Sequence, residues 1–251
     1  MHFEEFAEGS SLFHRLDPRV KLVTFLPYVF VIALMEGVRY PTLALLLSVS
    51  MIILARVDTR KLLNRLVVAN IFILFLWLFL PFNYPGRAFV GLGPFTATRE
   101  GMLFATAITL KANAIILATI ALLGTSQVFS LAHALVHLRL PDKLVHLFFF
   151  FYRYISVLHD EYTRLKRAMR VRAFNPGTNM HTYKTYAYLV GMLIVRSFDH
   201  SQRIYQAMLC RGFQGKFPVM SHFQMQQRDY LFGVCMFSIT FFLVFLTWNA
   251  R

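Results

Sequence analysis

The chain has 251 residues, of which 57% are hydrophobic and 15% charged, with a mean hydropathy of +0.53 and 27 Phe. That balance excludes an ordinary soluble domain, because a water-soluble fold of this size would leave much of its apolar surface exposed. The formal net charge of +14 could suggest nucleic acid, but the charge comes without an RNA or DNA motif and is flanked by apolar runs. Lipid headgroups or an acidic protein partner fit better, and no nucleic-acid partner is expected.

In chain order, the N-terminal stretch carries Glu4, Glu5, Glu8 and Asp17 rather than a basic start and an apolar core, so no cleavable signal peptide is expected. "HRLDPRVKL" follows at His14–Leu22. Asp17 can cap a helix starting at Pro18, with Arg19 and Lys21 snorkelling to headgroups. Two short apolar stretches, Leu22–Met35 and Pro41–Ala55, are parted only by Glu36–Tyr40 and read as a tight helical hairpin. Leu66–Phe82, Gly101–Leu123 and Tyr230–Trp248 are each long enough to cross a hydrocarbon core of about 30 Å. Polar groups interrupt two of them: Asn70 in the first, and Lys111 with Asn113 in the second. An intramembrane charge is a functional candidate; the alternatives are an interhelical hydrogen bond or a contact with a partner subunit.

Positive charge orients these spans. The connection Arg56–Arg65 holds Arg56, Arg60, Lys61 and Arg65 against Asp58, whereas the connection at 83–100 holds Arg87, Arg99 and Glu100. Lys/Arg excess marks the cytoplasmic side, and two crossings before residue 56 then make the N-terminus cytoplasmic too. Residues 139–229 contain fourteen Lys/Arg and five Asp/Glu, which supplies +9 of the +14. The expectation is an all-α, polytopic integral membrane protein of five transmembrane helices, or six, with a cytoplasmic coupling module of long helices. Its parts are N-terminal spans in 1–124, the module in 125–228 and a last span in 229–251.

The module repeats itself. "AMRVRAF" at 168–174 returns thirty-nine residues later as "AMLCRGF" at 207–213. Extended backwards, Asp160, Arg164, Ala168 and Arg172 stand four apart, as do Asp199, Arg203, Ala207 and Arg211. Such spacing follows one helix face, where Asp and Arg at i,i+4 pair favourably. Each copy ends a helix: the first at Asn175, Pro176 and Gly177, the second at Gly212 and Gly215 ahead of Pro218. One copy alone would be a solvated helix end. Two copies agreeing at seven positions point to a partner: a small Ala lets another surface approach, and the Arg beyond it offers a fork of donors. The run between them, Tyr183–Val195, is too short to cross and return, so both copies fall on one side of the membrane.

Histidine and cysteine chemistry is weakly supported. His133 and His137 stand i,i+4, with His146 further on, but no HExxH or spaced third ligand accompanies them. An intramembrane metalloenzyme built on His133 and His137 remains an alternative class, and a mere membrane anchor a third. Cys210 and Cys235 do not make a disulfide framework. No nucleotide-binding G-x4-G-K-[ST] occurs, so any ATP must be hydrolysed on another chain.

The paired Ala-x-x-x-Arg-[Gly/Ala] motifs and the opening "HRLDPRVKL" resemble the transmembrane T component of energy-coupling factor transporters, in particular the CbiQ type of cobalt importers. The resemblance covers most of the chain. It implies a multi-pass plasma-membrane scaffold without catalytic residues or cofactor of its own, partnered by two ATP-binding-cassette ATPases and a separate substrate-binding membrane subunit. On that resemblance Ala168, Arg172, Ala173, Ala207, Arg211 and Gly212 couple to the ATPases, supported by Asp160, Arg164, Asp199 and Arg203 on the same faces. The implied substrate is cobalt or nickel, with a vitamin as the alternative; any metal site would lie in the partner subunit. The first motif departs from the pattern with Ala173 where Gly is frequent, a change that preserves small size.

Overall fold

The computed structural model describes residues 6, 7, 9, 11–85, 88–92, 95–138, 141–214 and 225–249. Glu4, Glu5, Glu8, Arg87, Arg139, Gly215, Pro218 and the side chain of His137 lie outside the described residues. The fold is that of an all-α membrane protein and divides into two compact units, residues 2–139 with 223–251, and residues 140–222.

In the first unit a single turn α1 (Leu12–Arg15) precedes α2 (Pro18–Leu34) and α3 (Arg39–Ala55). Asp17 caps α2 by accepting from the Arg19 amide at 2.9 Å, and Pro18 opens the helix. The turn between α2 and α3 passes through Gly37 at φ +71°, and the pair is pinned internally by Tyr28, whose buried hydroxyl donates to the Ala44 carbonyl at 3.1 Å. α4 (Thr59–Asn83), capped by Asp58, is joined through a short antiparallel hairpin, β1 (Ala88–Leu92) and β2 (Phe95–Thr98), to α5 (Arg99–Thr119). That hairpin falls in a connection the sequence reading left without structure. α5 runs into a π-helical turn, Ile120–Gly124, and then α6 (Val128–His137). The unit closes with α9 (Gln227–Trp248), whose start is a capping box between Gln226 and Asp229.

Three helical segments, Thr59–Asn83, Arg99–Gly124 and Gln227–Trp248, are long and apolar enough to span a membrane. The 17 residues each of α2 and α3 reach the lower end of the spanning range. α5 is the central helix of this unit, packing on α2, α3 and α4, while α2 also packs on α9. Ala44, Ala114, Ala118 and Ala121 are wholly buried, which lets backbones approach closely. Outward faces carry residues such as Phe72, Leu231 and Phe241, each more than 70% exposed, as a lipid-facing surface requires.

Polar groups inside these helices find each other. Asn70 and Asn113 exchange reciprocal amide bonds of 2.9 and 3.0 Å between α4 and α5, and Trp77 Nε1 donates to Thr109 at 2.9 Å. Lys111 Nζ donates to the Ala33 carbonyl at 3.2 Å, in the last turn of α2 where a cation suits the helix dipole. Packing accounts for all three of the polar interruptions seen in the sequence.

The second unit is a pair of long helices, α7 (Asp142–Val171) and α8 (Met180–Cys210). The apolar run Tyr183–Val195 is no separate segment; it forms the first half of α8, continuous with the second motif. Between the helices, Thr182 orders the connection by donating to Asn179 Oδ1 at 2.9 Å and accepting from the Gly177 amide at 3.1 Å. Arg196 pairs with Glu161, Tyr154 meets His200 edge-on at 5.9 Å, and Phe174 meets Tyr186 at 5.8 Å. Those pairings run in opposite directions along the two helices, so α7 and α8 are antiparallel.

Candidate functional site

The two heptapeptides occupy the same structural position. α7 ends at Val171, with Arg172 as C-cap and Ala173 in the left-handed region at φ +57°; α8 ends at Cys210, with Arg211 as C-cap and Gly212 at φ +79°. In the first copy the Phe174 amide donates to the Met169 carbonyl at 3.1 Å and Ala173 to Arg170 at 3.0 Å. The second repeats this, Phe213 to Met208 at 3.0 Å and Gly212 to Leu209 at 3.0 Å. Both are Schellman terminations, in which a left-handed residue lets two amides turn back onto the last free carbonyls.

This geometry divides the motif into two jobs. Met, [Ala/Gly] and Phe make the termination: the first accepts the six-residue bond, the second adopts positive φ and the third donates. The Gly/Ala position is therefore set by backbone conformation, not by side-chain size as the sequence reading held. Ala at positive φ carries a strain of roughly 1 kcal/mol that Gly avoids. Beyond the cap backbone, the side chains of Asp160, Arg164, Ala168 and Arg172 take no part in ending the helix, nor do those of Asp199, Arg203, Ala207 and Arg211. All eight are exposed, as are Ala173 and Gly212.

One expected pairing is replaced. Arg164 bonds Glu161 at 3.2 Å, i,i+3, and not Asp160, because Glu161 faces α8 and gathers Arg164 and Arg196 together. The hydrogen bond from Arg196 holds the Glu161 carboxyl below its usual range, with the charges of Arg196, Arg164 and His200 acting in the same direction. Among the described residues Asp160, Asp199 and Arg203 make no ion pair. Asp160, Arg164 and Arg203 instead line an open groove of about 740 Å³ between α7 and α8, together with Glu161, Arg196 and His200. With α7 and α8 antiparallel, the two C-caps stand at opposite ends of the pair. From the Glu161–Arg196 level, Arg172 is eleven residues along one helix and Arg211 fifteen along the other. At 1.5 Å per residue they are about 30–40 Å apart.

A second cluster escaped the sequence reading. Lys21 does not snorkel: its side chain is fully buried and Nζ donates to Ser126 Oγ at 2.6 Å and Thr125 Oγ1 at 3.1 Å. The Asp17 amide donates to Asp229 Oδ1 at 2.9 Å, while Asp229 Oδ2 accepts from the Gln226 amide at 2.9 Å. Asp17 and Asp229 are themselves 7% and 4% exposed, placing two carboxylates near one ammonium in a low-dielectric site. Neighbouring His14 is held between the Ser11 hydroxyl at 2.7 Å and the Phe6 carbonyl at 2.9 Å. Lys21 stands three residues after the proline that starts α2, and Asp229 at the threshold of an apolar span. Those were the available signals, but the partners lie more than a hundred residues apart.

His133 is buried in α6. No group of three His, Cys, Asp or Glu positioned to hold a metal occurs among the described residues.

Comparison with known proteins gives these helices a context. The family model for CbiQ, described as cobalt transport protein, matches residues 9–223. A Bacillus subtilis protein named energy-coupling factor transporter transmembrane protein EcfT is 28% identical over 222 residues, 84% of each chain. Proteins of the same name from Heliobacterium modesticaldum and Acidaminococcus fermentans are 28% and 25% identical, over 80% and 98% of this chain and 80% and 96% of their own. The match takes in both motif helices and the His14–Leu22 opening alike. With its apolar helices and duplicated helix ends accounted for along that length, the chain belongs to the CbiQ family, as the membrane-embedded T component of an energy-coupling factor transporter.

Proposed function

We propose that this chain couples ATP hydrolysis to import by seating the ends of α7 and α8 in two separate ATP-binding-cassette ATPase subunits. Their closure is passed to a substrate-binding membrane subunit. The supporting observation is the duplicated helix termination: one Ala-to-Arg spacing, the same cap geometry and exposed motif residues, at two points too far apart for a single socket. Ala168 and Ala207 admit the partner surface closely, and Arg172 and Arg211 reach past the helix end to carboxylate or carbonyl acceptors. Asp160, Arg164, Asp199 and Arg203 flank those contacts. ATP is bound and hydrolysed on the partners. The loop Arg56–Arg65 and residues 140–222 face the cytoplasm, because their excess of Lys and Arg favours that side, and two crossings before residue 56 bring the N-terminus to the same side.

For the cargo we favour cobalt ions, on the description attached to the family. Nickel and vitamins remain the alternatives, and uptake of radiolabelled Co²⁺ with nickel or vitamin competitors distinguishes them. The coupling test is Arg172→Ala with Arg211→Ala in the reconstituted transporter. Losing a charge-assisted contact at a buried interface costs about 2–5 kcal/mol, so each single variant impairs uptake and the double variant abolishes it. Wild-type uptake by the double variant would return the repeat to two ordinary helix ends.

A further inference from the structure

Within the second unit, little apolar burial holds α7 against α8. Among the described residues Val145 is buried in α7, and Thr182 and Leu189 in α8. Beside the connection Phe174 meets Tyr186, and further along Tyr154 meets His200. Between those two ring contacts Arg196 of α8 donates to the Glu161 carboxylate of α7, the only ion pair that joins the two helices among the described residues. From there toward Arg211 an open groove of about 740 Å³ lies between the helices, lined by Phe150 and Tyr154 on α7 and by Tyr205 and Met208 on α8.

Glu161 is suited to fix how the helices cross. Its side chain is 19% exposed and is held from two directions, by Arg164 on its own helix at 3.2 Å and by Arg196 across the gap. A lone exposed ion pair contributes little, because two long side chains must be ordered for one contact. Here Arg164 already orders the carboxylate, so closing the pair with Arg196 costs less freedom, and the planar guanidinium gives that contact a direction as well as a charge. The helices then act as levers about this clasp. Arg172 lies eleven residues beyond Glu161 and Arg211 fifteen beyond Arg196. At 1.5 Å per residue those arms are about 16 and 22 Å long, so a change of about 10° in the crossing moves the Arg211 end by about 4 Å.

We propose that Glu161, clasped by Arg164 and Arg196, is a positioning residue that sets the crossing of α7 and α8 and hence the separation of the two coupling ends at Arg172 and Arg211. This rests on the coupling role proposed above, in which both ends must meet their sockets at once. Glu161 and Arg196 lie too far from either end to enter a socket themselves, and they act through the spacing alone.

The test compares three changes in the full chain: Glu161→Gln, Arg196→Gln, and the exchange Glu161→Arg with Arg196→Glu, which restores the pair with its charges reversed. Spin labels on Cys210 and on a cysteine introduced by Val171→Cys, in a Cys235→Ser background, report the separation of the ends by dipolar spectroscopy. Uptake per ATP is read in the unlabelled transporter, reconstituted with its ATPases and substrate-binding subunit. The clasp predicts that either single change broadens the distance distribution by about 4 Å, the travel of a 10° change in crossing. Uptake per ATP should fall about fivefold, the lower end of the usual coupling between sites, and the exchange should recover both. An unaltered distance distribution in both single variants would overturn the proposal, as would altered distances with unchanged uptake per ATP, or an exchange that recovers neither. Failure of all three chains to accumulate in the membrane would overturn it too, since the pair would then serve folding alone. Failure of the coupling role is separately visible, as full uptake by the Arg172→Ala/Arg211→Ala chain whatever the label distances.

Discussion

The two units solve opposite problems. The unit formed by residues 2–139 with 223–251 buries small side chains and pairs the polar groups within its apolar helices, Asn70 with Asn113 and Lys111 with the Ala33 carbonyl, and it buries Lys21 against Ser126. In α8, by contrast, only Thr182 and Leu189 are buried among 31 residues, so that helix is held mainly by its own hydrogen bonds and its contacts with α7. A helix pair so thinly packed keeps its surface for something else. The difference teaches where to look for function: in the first unit an exposed apolar side chain meets lipid, whereas in the second an exposed Ala between Asp and Arg marks a place kept clear.

The same substitution should therefore act differently in the two regions. Ala118→Leu, at a wholly buried position of α5, should destabilise the free protein by roughly 1–3 kcal/mol through overpacking. Ala168→Leu or Ala207→Leu, at exposed positions, should leave the free chain's thermal stability within about 0.5 kcal/mol. The same two variants should weaken ATPase retention by a comparable 1–3 kcal/mol, because the overpacking appears only when the socket is filled. Thermal unfolding in detergent and pull-down of the ATPase check the two halves. Equal destabilisation at Ala118 and Ala168 would erase the contrast.

A smaller effect separates the two helix ends from each other. Ala173→Gly should stabilise the end of α7 by about 0.5–1 kcal/mol, and Gly212→Ala should weaken the end of α8 by about 1 kcal/mol, since both positions sit at positive φ. Hydrogen exchange of the last-turn amides reads both changes directly. Identical protection in each variant and its parent would mean that side-chain size governs this position after all.

Much of this was legible because it is local. The span Tyr230–Trp248 lies within α9, Leu66–Phe82 within α4, and Gly101–Leu123 within α5 and its π turn, since long uncharged runs admit few other conformations. The second helix end falls at Gly212 as its glycine suggests, whereas the first comes before Asn175, Pro176 and Gly177, where the breakers pointed, because Ala173 itself takes the left-handed conformation after Val171. What else failed depended on distance in sequence. Lys21 looks like a snorkelling cation beside Arg19, until Thr125, Ser126 and Asp229 arrive from α6 and α9. Arg164 looks like the partner of Asp160, until α8 brings Arg196 to Glu161 and draws Arg164 with it. The strands β1 and β2 pair only with one another, in a connection too short and too mixed in composition to announce them.

The central claim, two ends for two ATPases, can be tested by where the ends touch. Val171 and Cys210 are equivalent positions of the repeat, each the last residue of its helix and exposed. In a Cys235→Ser background, a thiol-reactive cross-linker is applied to the assembled transporter with Val171→Cys alone, with Cys210 alone, or with both. Removing Cys210 from the first of these by Cys210→Ser keeps the arms separate. Each single site should capture one ATPase subunit, and the two together should yield one membrane chain joined to two. A doubly reactive chain that never exceeds one captured ATPase, although each site alone captures it, would contradict the account.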